Sequence, residues 1–317
     1  MQFDTETVWT SRRGLTGYLR GVCCKKTDFS PERCQVTKLL TQFAAMAMLS
    51  LLAACGQPKV KPAEPPPPLP GYEATEDGGF EIQAVDPRLM SDGYVKTEVS
   101  YTGDEEPGSI VVDTFARKLY FIEEGGMATR YGIAVGREGL TFRGSGVIGR
   151  MEKWPSWQPT ANMVRTRPDL YQKYAGGMSG GLDNPLGARA MYLYRGGKDS
   201  HFRIHGTVDN NSIGHATSAG CIRLFNQDAI ELFDRVKIGA KVKVRTQDES
   251  IAMEGPYMED AFGRAVPDTP ENQDKKITDA AALAAAEAAN PELAAYDAAA
   301  RAADEAAKKQ ARAAGGY

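Results

Sequence analysis

Between Ser109 and Arg245 the chain is written in short β-branched and aromatic runs broken by glycine and polar turns, and this punctuation restricts the segment to a strand-rich fold. "SIVVDTFARKLYFIEEGG" sets two such runs around a short polar turn and closes on Gly125-Gly126, a hairpin signature. "ATRYGIAVG" supplies a further strand, and Gly144, Gly146 and Gly149 punctuate a looped stretch beyond it. Strand character returns in "ARAMYLYR", in "HFRIHGT", where Phe202 and Ile204 alternate with Arg203 and His205, and in "AKVKVR". One helix interrupts the pattern: "NQDAIELFDRVKIG" has Asn226 as its expected N-cap, Ala229, Phe233 and Val236 at helical spacing, and Gly239 at the stop. The expectation is a mainly β domain with a short helix directly behind Cys221.

The flanks read differently. "EKWPSWQPTANMVRTRPDLYQKYAGGMSGGLDNPLGARAMYLY" is long and rich in glycine, proline and aromatics before it turns strand-like. Loops of that length inside a compact domain are lids or binding loops. Trp154 and Trp157 are then either anchors of the loop or a wall for substrate. Residues 72–107 form a polar lead-in with one strand in "YVKTEVSY", and residues 247–317 a polar, then alanine-rich tail with a helix start at Asn290-Pro291. With no broad face of large apolar residues, that tail is expected to be solvated.

The front of the chain is a leader. From Lys38, "KLLTQFAAMAMLSLLAACG" places a cation before an apolar run of about 16 residues, shorter than the roughly 20 of a membrane span. Its ending, Leu52-Ala53-Ala54-Cys55, resembles a bacterial lipobox, which implies cleavage before Cys55 and a lipid on its thiol. An uncleaved anchor or an ordinary signal peptide are the alternatives. Residues 1–35 are too long and too acidic for such a signal, with Asp4, Glu6, Asp28 and Glu32, so the start is expected later, near Val36. "GQPKVKPAEPPPPLPG" follows; Gln57 to Pro70 in polyproline geometry would reach roughly 40 Å, a tether rather than a core. The divisions are therefore 1–54 leader, 55–71 lipidated cysteine and tether, 72–107 lead-in, 108–246 strand-rich domain and 247–317 tail.

Composition removes other classes. The 317 residues, 42% hydrophobic and 25% charged, can fold one or two ordinary cores. A formal net charge of -3 and no basic stretch give no case for nucleic acid. No CxxC pair occurs among Cys23, Cys24, Cys34, Cys55 and Cys221, so the ligand pattern of a structural zinc site is missing, and His201, His205, His215 and Cys221 match no common metal spacing. If the first three cysteines leave with the leader and Cys55 carries lipid, Cys221 is the sole thiol of an exported chain, which calls for a reactive explanation rather than that of a small buried hydrophobe.

A cysteine attacks a carbonyl carbon as thiolate, and an adjacent imidazole accepts its proton. His205 at a strand end and Cys221 across a loop are placed to meet. Gly220 lets a substrate carbonyl approach the backbone, where the N–H groups of Gly220 and Cys221 are natural oxyanion donors. The expectation is a thiol ionised by the ring and open to solvent.

"HGT" paired with "SAGCIR", separated by a loop containing "SIG" and followed by "NQD", resembles the signature of the L,D-transpeptidase catalytic-domain (YkuD-like) family. The likeness runs from about Ser109 to Arg245 and includes "IVVD...LYFIEEGG" and "DNPLGARAMYLY". It implies a β-sandwich with the cysteine in a cleft beneath a lid, an envelope location and no cofactor. Matched residue by residue, it implies Cys221 as nucleophile, His205 as general base, Gly220 at the oxyanion hole, Ser218 supporting imidazole or substrate, and Arg223 either organising the site or meeting a substrate carboxylate. Trp154 and Trp157 join the substrate-binding candidates. Where many relatives place histidine or arginine, this chain has Ala219, which puts substrate preference in doubt.

The implied reaction attacks the third residue of a peptidoglycan tetrapeptide stem, expels D-alanine and passes the acyl group to an amine of another stem or of an envelope protein. An L,D-carboxypeptidase or crosslink hydrolase would use the same residues, and a non-catalytic peptidoglycan-binding lipoprotein is the remaining alternative. Gly56, in place of the aspartate associated with inner-membrane retention, favours the periplasmic face of the outer membrane as the site of anchoring.

Overall fold

The computed structural model describes residues 66–90, 93–136, 142–218 and 220–290. The leader, Cys55, the tether to residue 65, Ala219 and the tail beyond residue 290 lie outside them. Among the described residues, nine strands join one mixed sheet: β1 Thr97–Ser100, β2 Ile110–Asp113, β3 Lys118–Ile122, β4 Met127–Gly132, β5 Gly144–Lys153, β6 Arg189–Arg195, β7 Lys198–His205, β8 Ile222–Arg223 and β9 Lys241–Val244. Their spatial order is β8-β7-β6-β5-β9-β2-β3-β4-β1. The β7–β8 and β9–β2 pairs are parallel and the others antiparallel.

The sheet curls on itself. Eight of its nine strands, all but β1, send side chains into one cluster that includes Ile110, Leu119, Tyr131, Ile148, Leu193, Ile204, Ile222 and Val242. Strands at opposite ends of a flat sheet could not share that contact. The fold is thus mainly β, as the strand pattern implies, with both halves of the sheet facing one core.

Period-2 alternation explains the two faces of β2 and β3. Ile110, Val112, Leu119 and Phe121 enter the main cluster, while Val111, Tyr120 and Ile122 join Tyr101 and Ala128 in another. Charged residues cover that second face. Arg245 lies over the Tyr120 ring at 4.8 Å from its centroid, and Glu254 accepts hydrogen bonds from the Tyr120 hydroxyl (2.6 Å) and the Lys118 ammonium (2.9 Å).

Five α-helices fall among the described residues: α1 Ala161–Thr166, α2 Pro168–Tyr171, α3 Asn226–Arg235, α4 Gln247–Glu254 and α5 Pro270–Ala289. In α3, Ala229 and Leu232 are fully buried in the main cluster, with Phe233 packed against it. Its N-cap is Phe225, which makes no side-chain capping bond, and Asn226 is already helical. The expected Asn226 cap is therefore corrected: a tertiary contact claims that amide.

The lead-in and the start of the tail belong to the folded body. Tyr72, Val85, Met90 and Tyr94 form a buried cluster with Ala134, Ile213 and Phe225. α4 is closed by a capping box between Thr246 and Glu249, and Ser250 donates to Asp113 at 2.9 Å. By contrast α5 buries nothing. Thr269 caps it and Pro270 opens it, so Asn290 stands at the C-cap of this helix. A helix starting at Pro291 would lie outside the described residues. No helix among the described residues is long and apolar enough to cross a membrane.

Candidate active site

Register brings the histidine and the cysteine together. In the parallel β7–β8 pair Ile204 faces Ile222 and His205 faces Arg223, which sets Cys221 level with Arg203. Ile204 and Ile222 are both completely buried in the core, so by alternation Arg203, His205, Cys221 and Arg223 belong to the opposite face. Arg223 stands directly opposite His205, and Cys221, just ahead of β8, lies diagonal to the histidine on that face.

His205 is 3% exposed, and its Nδ1 lies 2.6 Å from the Gly206 carbonyl oxygen. A carbonyl only accepts, so this contact places a proton on Nδ1, and a main-chain hydrogen bond with Leu186 also engages the ring. Burial, followed by the charge of Arg223, pulls the imidazole pKa down to about 3. Cys221 is a thiol and the residue is partly open to solvent. The protein packed around its sulfur still dominates, and burial pushes the thiol pKa up. A hydrogen bond from the Arg203 main chain and the charges of Arg203 and Arg223 act in the other direction, with smaller effect.

This corrects the expectation of a sulfur ionised by the ring. Both shifts favour the neutral partner, because a buried thiolate and a buried imidazolium each lose hydration. The resting pair is thiol and neutral imidazole.

Arg203 was not among the sequence candidates. Its guanidinium pairs with both oxygens of Asp199 (2.8 and 3.0 Å) and stacks 4.4 Å from the Tyr192 ring centroid. No spacing rule announces it, since only the register of β8 makes it a neighbour of the thiol.

The main chain around the thiol is crowded. Gly220 has φ +127, and a Cβ on Gly136 would collide with the Gly220 Cα. Only glycine fits there, which lets the short strand Val135–Gly136 press against the cysteine loop. Ser218 is level with Gly136 in the parallel pairing of Ala216–Ser218 with that strand. Arg223 exchanges main-chain hydrogen bonds with Ala134, 2.9 Å in each direction, and its charge reaches both His205 and Cys221.

The tryptophans have anchoring partners. Trp154, at φ 44, donates its indole N–H to Asp77 at 2.8 Å and packs on Phe80 with ring centroids 4.3 Å apart. Trp157 packs against Tyr171 and Tyr174 and shares two main-chain hydrogen bonds with Met178. Asp77 also holds Arg189, 2% exposed, by two 2.7 Å bonds, so the lead-in grips the edge of the lid segment. His201 is exposed at φ 64, within the β-bulge of β7. His215 is half-buried and its Nε2 accepts from Arg264 at 3.3 Å. Among the described residues no group of three or more His, Cys, Asp or Glu is placed to hold a metal ion.

Residues 107–244 match the model of the YkuD family, the L,D-transpeptidase catalytic domain. Open reading frame 5 of the ATP synthase subunits region of Fuscovulum blasticum, described as an L,D-transpeptidase, is 34% identical over 66% of this chain and 100% of its own length. The probable L,D-transpeptidase ErfK/SrfK of Escherichia coli K12 is 33% identical over 44% of this chain, which spans 44% of that protein. A Brucella melitensis crystal structure described as a probable carnitine operon oxidoreductase is 44% identical over 49% of this chain and 95% of its own, with a TM-score of 0.35. The chain belongs to the L,D-transpeptidase family, whose members modify peptidoglycan.

Proposed function

We propose that the chain is a cysteine-dependent L,D-transpeptidase of the bacterial envelope, with Cys221 as nucleophile and His205 as its base. The observation that carries this is the Nδ1 contact with Gly206, which leaves the Nε2 lone pair of His205 as the proton acceptor on the face shared with Cys221. Because the resting pair is neutral, the S–H proton passes to Nε2 as the sulfur bonds to the substrate carbonyl carbon. The carbonyl electrons move onto oxygen, where the N–H groups of Gly220 and Cys221 receive them; one such donor is worth about 3 kcal/mol. Collapse breaks the C–N bond, and His205 returns its proton to the departing D-alanine amine.

The resulting thioester is resolved when an acceptor amine attacks, giving its proton to His205, and Cys221 leaves to take that proton back. The donor is the tetrapeptide stem of peptidoglycan, and the acceptor an amine of a second stem or of an envelope protein. Ser218 and Arg223 flank the site, and Arg223 meets a substrate carboxylate. Trp154 and Trp157 shape the lid over the donor. Cys55 carries lipid that holds the domain on the periplasmic side of the outer membrane.

Mass spectrometry of tetrapeptide fragments incubated with the protein tests the chemistry. Loss of D-alanine with a new amide to the acceptor is expected, and Cys221→Ala should show neither. Free tripeptide formed at the same rate with or without acceptor would make the enzyme a hydrolase. Palmitate incorporation that survives Cys55→Ala would refute the anchor.

A further inference from the structure

We propose that Asn226 is a positioning residue for the His205 imidazole, acting through the Gly206 peptide that fixes the ring's tautomer. This rests on reading His205 as the base of Cys221.

Asn226 is 8% exposed, and its amide is used at both ends. Oδ1 accepts from the Ala188 N–H at 2.9 Å, and Nδ2 donates to the Thr207 carbonyl at 2.8 Å. A main-chain N–H can only donate and a carbonyl can only accept, so these partners permit one orientation of the amide. It ties the chain entering β6 to the loop leaving β7. A Cβ on Gly187 or on Gly206 would collide with Oδ1, so both glycine backbones lie in contact with it.

The Gly206 peptide is consequently held from both sides. Its N–H donates to the Arg189 carbonyl at 3.0 Å, and the Thr207 carbonyl that follows is taken by Asn226. Between these restraints the Gly206 carbonyl faces His205 Nδ1. Asn226 is also the first residue of α3, five positions after Cys221. One side chain therefore references the histidine loop to the segment that carries the thiol.

Removing the amide leaves a buried donor at Ala188 and a buried acceptor at Thr207 without partners, and the Gly206 peptide held from the Arg189 side but no longer from the Thr207 carbonyl. Once the Gly206 carbonyl turns, the imidazole proton is free to occupy Nε2. A ring protonated there cannot accept a proton from sulfur. Misplacement of this kind costs about 100-fold in rate.

The test uses protein labelled with 15N-histidine, in which only 3 histidines report. The wild type is expected to show His205 protonated at Nδ1 at pH 7, and Asn226→Ala to show a mixture of tautomers with acylation of Cys221 by a carbapenem slowed about 100-fold. Asn226→Asp serves if the alanine variant does not fold; it keeps the acceptor for Ala188, loses the donor for Thr207, and should show the same two changes. Unchanged tautomer and acylation rate in a folded variant, with only the melting temperature lowered, would overturn the inference. A wild type that a carbapenem fails to acylate at Cys221 would overturn the catalytic reading beneath it.

Discussion

Burial sets the protons of the thiol and the imidazole before any substrate arrives. For His205 the folded pKa of about 3 lies below the ordinary 6.5, so only the unfolded chain gains a proton between those values. Stability is then complete above about pH 6.5 and falls as the pH drops toward 3, by on the order of 2 kcal/mol between pH 7.5 and 5. Urea denaturation at the two pH values should show the wild type losing about 2 kcal/mol relative to His205→Gln, a comparison that cancels the opposite contribution of Asp228. For Cys221, alkylation by iodoacetamide should rise with a midpoint above that of an ordinary thiol, about 8.5. Asp199→Asn, which unmasks the Arg203 charge, should move the midpoint down and Arg203→Gln should move it up. A midpoint near neutrality would mean the ion pair exists at rest. The sequence marked His205, Gly220 and Cys221 because their types and order carry the chemistry. It passed over Arg203, whose place beside Cys221 depends on the register of β7 and β8, and it assigned Asn226 a cap, because the partners of its amide, Ala188 and Thr207, are remote in sequence.

Helix α3 carries a second buried charge question. Asp228 is fully buried; Oδ2 accepts from the Tyr72 hydroxyl at 3.2 Å, while Oδ1 has no hydrogen-bond partner. Burial raises its pKa from 3.8 to about 7. A raised carboxyl pKa means stability is complete below about pH 4 and is lost as the pH rises through about 7. Asp228→Asn should therefore stabilise the fold at pH 8.5 and change little at pH 4, measured by thermal melts. Among the strands, Leu193 on β6 is fully buried, and Leu193→Ala should cost about 2–5 kcal/mol by transfer and cavity terms. Strands β2, β3, β4, β6 and β9 were legible as β-branched and aromatic runs between turn signals, and β7 by its alternation. α4 was not, since its support comes from Asp113 and Thr246 and not from an apolar stripe of its own.

At the scale of the molecule, the family match ends at residue 244 and begins at 107, yet the folded body extends past both limits. Tyr72, Val85 and Tyr94 bury against Ala134, Ile213 and Phe225, and Asp77 braces Arg189 and Trp154. A chain cut to 107–244 should fail to fold cooperatively, whereas one ending at Thr269, without α5, should melt as the parent does. Calorimetry of the two truncations distinguishes these outcomes, and equal loss in both would show that α5 is more than a solvated helix.

What the amino-acid order determined by itself was local: strand alternation, the turn glycines, the helix behind the thiol, and the pairing of residue types that makes acyl transfer feasible. Tertiary structure decided what depends on surroundings. Which side chain neighbours the sulfur follows from strand register, and which protons the pair holds follows from how much water packing excludes. Both are properties of distant segments meeting, and no window of sequence contains them.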